Sequence, residues 1–289
     1  MIKMSVMTLG FLKDTFKPYR EDGDVEGLRK RYIKLFKDIK KAGIDAIDIA
    51  SFEVACLGED FTVDTIKDFG FQVASFIHTG KYADGSVSVE ANLAEAKKAM
   101  ETALRLGTGN FMLVPQSYEG IEKLDAAEIR SNISANVKAI NDYAKTVNLQ
   151  IILEDYPDPS LHLSSVDELD GMLSEAPGAK LVYDSANMLV AGDDPVRYAQ
   201  HFKGRIAHVH IKDIEITSEI TDSGERTLAG EKIRTVFVGT GIVDISAVIK
   251  TLLADGYDGI FSLEFGRMAL KLRQKALIEA KKYVEEAAQ

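Results

Sequence analysis

Long apolar runs are missing from this 289-residue sequence. No stretch approaches the roughly 20 apolar residues that cross a bilayer, so a membrane-spanning protein is not expected. Cysteine is nearly absent as well. Cys56 stands alone, which excludes an internal disulfide framework and fits a reducing cytosol. Met1 to Lys13 lacks the charged start, long apolar centre and small-residue cleavage site of a secretory signal; it reads as a first strand, and a cytoplasmic location is expected. Positive charge is in deficit, with 35 Lys and Arg against 45 Asp and Glu. The net charge of −10 repels a phosphate backbone, and no dense basic run lies outside helices, so nucleic acid is not an expected partner. Neither a complete dinucleotide fingerprint nor a P-loop is present, and the glycines of VGTGIVD (238–244) read as turn geometry.

What the sequence does contain is an ordinary globular balance, 46% hydrophobic and 28% charged, enough for a sizeable core. The length matches one closed α/β barrel of about 250 residues, so residues 1–289 are expected to form a single domain. Short apolar segments recur at 2–9, 44–50, 71–78, 111–115, 149–154, 180–184, 205–211 and 259–265, each followed by helical periodicity. Ile129, Ile133, Val137, Ile140, Ala144 and Val147 make one continuous helical face. Ser165 with Glu168 forms a capping box, and Asp194 before Pro195 reads as an N-cap with proline in the first turn. Glycines 43, 107 and 256 supply helix stops. A closing helix is expected over Arg267–Ala288. Eight strand and helix alternations favour a parallel (β/α)8 TIM barrel over a doubly wound open sheet. Gly10–Asp24 reads as a polar loop. Residues 214–238 form a charged insertion whose halves, IEIT and KIRTVFV, can pair as a hairpin. Either segment can act as a lid or as a homo-oligomer contact.

Two of the five histidines, His208 and His210, share the strand RIAHVHI. In an extended strand they face one way while Ala207, Val209 and Ile211 face the other. The same alternation pairs Ile152 with Glu154, Val182 with Asp184 and Ser262 with Glu264. The last residue of each pair is polar and ends its strand. Barrel active sites lie at that rim, and a ring of two Glu, one Asp and one His there suits a divalent ion such as Mn²⁺, Mg²⁺ or Co²⁺, with Zn²⁺ a further candidate. Singly, each group has a plainer reading. His210 alone reads as a hydrogen-bonded core histidine, and either glutamate alone as a rim carboxylate paired with lysine. Convergence on one cation explains all four, because buried unpaired carboxylates are costly. Asp48 and Glu53, near the end of the second strand, are expected to face solvent or cap a loop. Cys56 reads as a small apolar filler.

The motifs ILEDYP around Glu154, VYDSANMLVAGDDP around Asp184, HVHIKD around His210 and VGTGIVD followed by GYDGIFSLEFG around Glu264 extend over nearly the whole chain. With them the sequence resembles the xylose isomerase-like sugar phosphate isomerases and epimerases, which are single barrels of this size. The resemblance implies an enzyme of carbohydrate metabolism acting on a small sugar or sugar phosphate. It implies metal ligation by Glu154, Asp184, His210 and Glu264, acid/base roles for Glu154 and Glu264, and a supporting or substrate-contacting role for His208. Epimerases of the family often carry His three residues after the strand-six Asp and Arg shortly after the strand-seven His; here Asn187 and Lys212 stand nearby instead. Position near strand ends also nominates His78, Lys81, Lys212 and Arg267, with Asn187, as substrate contacts.

Such a set serves carbon-acid chemistry. Moving hydrogen between adjacent carbons of a hydroxy-ketone requires an enediolate, which a chelated metal stabilises as a Lewis acid. Two opposed glutamates can take and return the proton on opposite faces, which is epimerisation, and one-face transfer interconverts aldose and ketose. Dehydration β to a carbonyl begins with the same proton abstraction, so an inosose dehydratase-like lyase stays open. A non-catalytic sugar-binding barrel is another alternative. Endonuclease IV-like repair of DNA shares the barrel, and the charge argues against it.

Overall fold

The computed structural model describes residues 2–219, 226–266 and 272–289. Eight parallel strands close into a barrel: β1 (Lys3–Met7), β2 (Ala46–Ala50), β3 (Gln72–Gly80), β4 (Asn110–Pro115), β5 (Gln150–Glu154), β6 (Lys180–Asp184), β7 (Ile206–Ile211) and, after a separate antiparallel pair β8 (Asp213–Ile216) and β9 (Ile233–Val236), β10 (Ile260–Leu263). β10 sits between β7 and β1 and closes the ring. The expected (β/α)8 barrel is therefore the observed architecture. None of the described helices is long and apolar enough to cross a membrane.

Alternation along each strand separates two apolar layers. Outward residues such as Val6, Ile47, Ile49, Phe76, Leu153, Tyr183, Val209 and Phe261 pack beneath the helices. Inward residues Met7, Ala50, Ile77, Met112, Val114, Ile152 and Val182 form a second cluster that fills the lumen. The helix signals hold in detail. The helix over Ala126–Thr146 buries the predicted stripe from Ile129 to Ala144. The helix over Val166–Glu175 starts at the Ser165 and Glu168 box, and that over Pro195–His201 at the Asp194 cap. Gly43 and Gly256 end their helices at φ values of 73° and 90°, left-handed conformations that a side chain disfavours.

One expectation of local structure is corrected. Gly10–Asp24 is a short 3-10 turn followed by a helix over Leu12–Asp22, despite Pro18 inside it. Phe16 drives it, packing edge-on against Tyr19, Tyr32 and Phe52, and that burial outweighs the hydrogen bond proline cannot donate. Between β2 and β3 lie two helices, Ser51–Leu57 and Glu59–Phe69, broken at Gly58. The closing helix is described over Arg273–Ala287; its expected first turns fall outside the described residues. The hairpin pairs as expected, Asp213 opposite Val236 and Ile216 opposite Ile233, while residues 220–225 lie outside the described residues.

Glu53 takes the second of its two expected roles, that of a cap, and is fully buried rather than solvent-facing. Its Oε2 accepts from the Ala50 amide and the Thr8 hydroxyl, each at 2.8 Å, and its Oε1 from the Tyr32 hydroxyl. It thus caps the turn after β2. Burial pushes its carboxyl up to about 7, against the opposing pull of these three donors. Unfolded, the same group titrates near 4.5. The native state therefore holds the proton more tightly, and Glu53's contribution to stability is full below that value, declines as pH rises to about 7 and is constant above. Urea unfolding across this window is expected to show Glu53→Gln losing less stability than wild type, by on the order of 3 kcal/mol. Equal slopes for the two proteins would refute the assignment.

Candidate metal centre

Four adjacent staves of the barrel run in the order β5, β6, β7, β10, and their ends place one carboxylate or imidazole side chain each. Asp184 lies opposite His210 in register and Glu154 opposite Val182, while the Glu264 amide donates to Ile211 O at 2.9 Å. Because side chains alternate, Glu154, Asp184, His210 and Glu264 all point into the mouth of the lumen. One ligand atom from each lies within 4.8 Å of every other. His210 Nδ1 is 2.6 Å from Glu154 Oε1 and 3.2 Å from Glu264 Oε2.

Each member is held from behind. Asp184 Oδ1 accepts the amides of Ala186 and Asn187 at 2.7 and 2.9 Å, and the Asp184 amide donates to Asp155 Oδ1 at 3.0 Å. Lys212 Nζ lies 3.0 Å from Glu264 Oε1 and donates to Asn187 Oδ1 at 2.9 Å. Ser185 exchanges hydrogen bonds with the Lys212 backbone, donating to its carbonyl at 2.6 Å and accepting from its amide at 2.8 Å. Asp184 Oδ2 and Glu264 Oε2 remain buried without a hydrogen-bond donor. Three carboxylates face one ammonium, so two negative charges are uncompensated when the imidazole is neutral.

The titration behaviour follows from that imbalance. Burial raises Asp184 to about 7; the charges of Glu264 and Glu154 add to the rise, and Lys212 and His210 oppose it. Burial also acts upward on Glu264, but Lys212 and His210 outweigh it and hold this carboxyl down at about 2. Burial disfavours the charged form of His210, yet Glu154, Asp48 and Glu264 carry it well above the ordinary imidazole range. A proton on His210 takes part of the role that a cation between these groups fills better. Two orphaned buried carboxylate oxygens, a third carboxylate and an imidazole suit a divalent ion.

Of the other predicted contacts, Lys212 and Asn187 belong to the cluster. Asn187 spends its side chain within the protein: Nδ2 donates to Asp155 O at 2.6 Å and Oδ1 accepts from Lys212. His208 lies deeper in the lumen, Nε2 3.0 Å from Asp48 Oδ2 and its ring 5.2 Å from that of His210. His78 is not brought to the cluster. It follows the lumen residue Ile77, turns outward against Phe111 and Tyr82, and has Nδ1 3.2 Å from Ser51 Oγ. Burial there lowers it to about 4, with Glu95 opposing. Lys81 is exposed, and Arg267 lies outside the described residues.

Asp48 is the residue that sequence reasoning missed, and the expectation that it faces solvent or caps a loop is overturned. It is fully buried and faces the lumen. Its Oδ2 accepts from Ser262 Oγ and stands 3.6 Å from His210 Nε2. Burial pushes its carboxyl up, but the charge and hydrogen bond of His208, helped by the nearby imidazole of His210, overcome this and hold it well below the ordinary carboxylate range. A signal was available: Ile47 and Ile49 flank Asp48 and turn outward, so alternation places it inside.

Residues 36–288 match the family model of the xylose isomerase-like TIM barrel. Among curated proteins, an inosose dehydratase of Geobacillus thermodenitrificans (strain NG80-2) is 30% identical over 107 residues, covering 35% of this chain and 36% of that enzyme. An inosose dehydratase of Lacticaseibacillus casei is 23% identical over 159 residues, 53% of each. The matched stretches span about a third to a half of these relatives. Two solved structures share the fold: an IOLI protein with a bound zinc atom, at TM-score 0.76, 19% identity and coverage of 99% of this chain and 98% of that one, and a D-allulose 3-epimerase from Methylomonas sp., at 0.74, 18%, 99% and 98%. With the closed barrel and a family match over most of its length, this chain belongs to the xylose isomerase-like TIM barrel family.

Proposed function

We propose that this protein is a divalent-metal-dependent enzyme that isomerises or epimerises a sugar, a sugar phosphate or a related polyol ketone by removing a proton from the carbon beside a carbonyl. One observation carries the reading: Glu154, Asp184, His210 and Glu264 converge within 4.8 Å, and two of their buried carboxylate oxygens have no donor. In this reading these four residues hold the ion. Mn²⁺, Mg²⁺, Co²⁺ and Zn²⁺ all accept such a donor set. The bound metal supplies Lewis acidity to the substrate oxygens.

The rest falls to the side chains. Glu154 and Glu264 come from strands on either side of β6 and β7, and both reach His210 Nδ1. Two carboxylates separated in this way can accept the carbon proton at one oxygen and return it from another. Lys212 keeps Glu264 an anion, the form that accepts a proton. Asn187 and Ser185 fix the lysine, so its ammonium is presented at the mouth of the lumen.

A second reading is dehydration of a keto-inositol or related polyol, favoured by the curated relatives named inosose dehydratase. It starts with the same proton removal and ends with water leaving from the β carbon. Lys212 suits it, because an ammonium within the site can give a proton to the departing hydroxyl.

Incubation in D₂O with a panel of ketoses and inososes is expected to show metal-dependent exchange of a carbon-bound hydrogen. Product mass then separates the readings, since only the lyase loses 18 Da. Absence of both exchange and metal dependence across the panel would sink the proposal. Glu264→Gln is expected to lower turnover by about 10²- to 10⁴-fold, the usual contribution of a positioned general base. Unchanged turnover in that variant would remove Glu264 from the chemistry. A divalent ion at about 100 times its dissociation constant is expected to stabilise the wild type by about 2.7 kcal/mol, visible as a raised melting temperature, and Asp184→Asn is expected to abolish most of that rise.

A further inference from the structure

We infer that Asp48 is the positioning residue of the centre: it fixes which ring nitrogen of His210 carries hydrogen and so leaves Nδ1 bare for the metal. The inference rests on the metal-binding reading above and goes beyond it, since Asp48 touches none of the other three ligands by hydrogen bond or ion pair. The two nitrogens of His210 see different surroundings. Nδ1 faces Glu154 and Glu264 at 2.6 and 3.2 Å. Nε2 is buried on the other side, without a hydrogen bond, and among the described residues the carboxylate within 4.0 Å of it is Asp48, at 3.6 Å.

An imidazole that ligates through one nitrogen is neutral and keeps one N–H, on the other nitrogen. The two neutral tautomers are close in energy, so the acceptor they meet decides between them. Nδ1 is drawn toward Glu154 in the structure, which leaves Nε2 just beyond hydrogen-bond reach of Asp48. A cation at Nδ1 replaces that pull, and Asp48 is then the partner left for the Nε2 hydrogen.

Asp48 cannot turn away to avoid the task. His208 Nε2 and Ser262 Oγ both hold its Oδ2, the residue is fully buried, and its own carbonyl accepts from Thr8 Oγ1 at 2.9 Å. This accounts for both histidines of β7. His210 is the ligand, and His208 pins the carboxylate that orients it.

The test uses the full chain and the metal alone. With ¹⁵N-labelled histidine and ¹¹³Cd²⁺, the wild type is expected to show His210 as the Nε2–H tautomer with cadmium coupled to Nδ1. Zn²⁺ titration is expected to give one bound equivalent, with affinity 10- to 100-fold lower in Asp48→Asn and a mixture of His210 tautomers in that variant. Ser262→Ala, which removes one restraint on Asp48, is expected to lose affinity in the same direction by a few-fold. Coupling of cadmium to Nε2 in the wild type overturns the inference whether or not a variant folds. So does unchanged zinc affinity with a single tautomer in Asp48→Asn, or a second zinc equivalent held by Asp48 and His208. A wild type that binds no metal overturns the proposed function itself, whereas equal binding by wild type and Asp48→Asn overturns only the role of Asp48.

Discussion

Like charges brought together in a closed sheet set the terms for this protein. Glu154, Asp184 and Glu264 end three staves of one barrel, and the strand between two of them delivers an imidazole to the same point. Water is largely excluded there, so the repulsion is not screened away. Lys212 offsets part of it through Glu264, and Asp184 is steadied by two backbone amides. The arrangement is stable only if something positive sits among the carboxylates, whether a proton on His210 or a metal ion. Everything around the cluster follows from that need.

The lumen is divided accordingly. Met7, Ala50, Ile77, Met112, Val114, Ile152 and Val182 supply its apolar filling, while Ser5, Asp48, His208 and Ser262 form a polar floor beneath His210. A buried carboxylate in that floor costs a great deal unless hydrogen-bonded, and Asp48 has both histidine and serine partners. Behind Asp184, Asp155 and Asn187 form a second buried layer. Burial, followed by the charge of Asp184, keeps the Asp155 carboxyl well above the usual range. The four clustered side chains are therefore carried on strand ends and braced by buried, hydrogen-bonded neighbours, the arrangement that holds a site rigid.

The rim is built differently. After β7 the chain leaves the barrel as the β8–β9 hairpin and returns through a tight turn gathered by one carboxylate. Asp213 accepts the amides of Gly239, Gly241 and Val243 at 3.0, 2.8 and 3.2 Å. Gly241 comes so close that a Cβ there would stand 2.2 Å from Asp213 Oδ1 and from Ile214 O. The glycines of VGTGIVD are thus explained by turn geometry and need no phosphate. Leu228 N donates to Val190 O at 2.8 Å, which ties the far part of the insertion to the segment after Asp184.

Much of this was legible from residue order alone. Period-two alternation with period-3.6 helices between strands is a local signal, and it determined the barrel, the strand ends and the inward direction of Glu154, Asp184, His210 and Glu264. Local signals failed where packing partners are distant in sequence. The helix at Leu12–Asp22 depends on Phe16 meeting Tyr32 and Phe52, and Glu53 is buried because Tyr32 and Thr8 reach it from other elements. Asp48 shows the limit most clearly: its partners His208 and Ser262 lie 160 and 214 residues away, and only closure of β10 between β7 and β1 brings them together. Sequence by itself determined which side chains point inward, because alternation is a property of one strand. The tertiary structure alone decided which of them touch, because contact across a barrel depends on the register and order of strands that no single segment encodes.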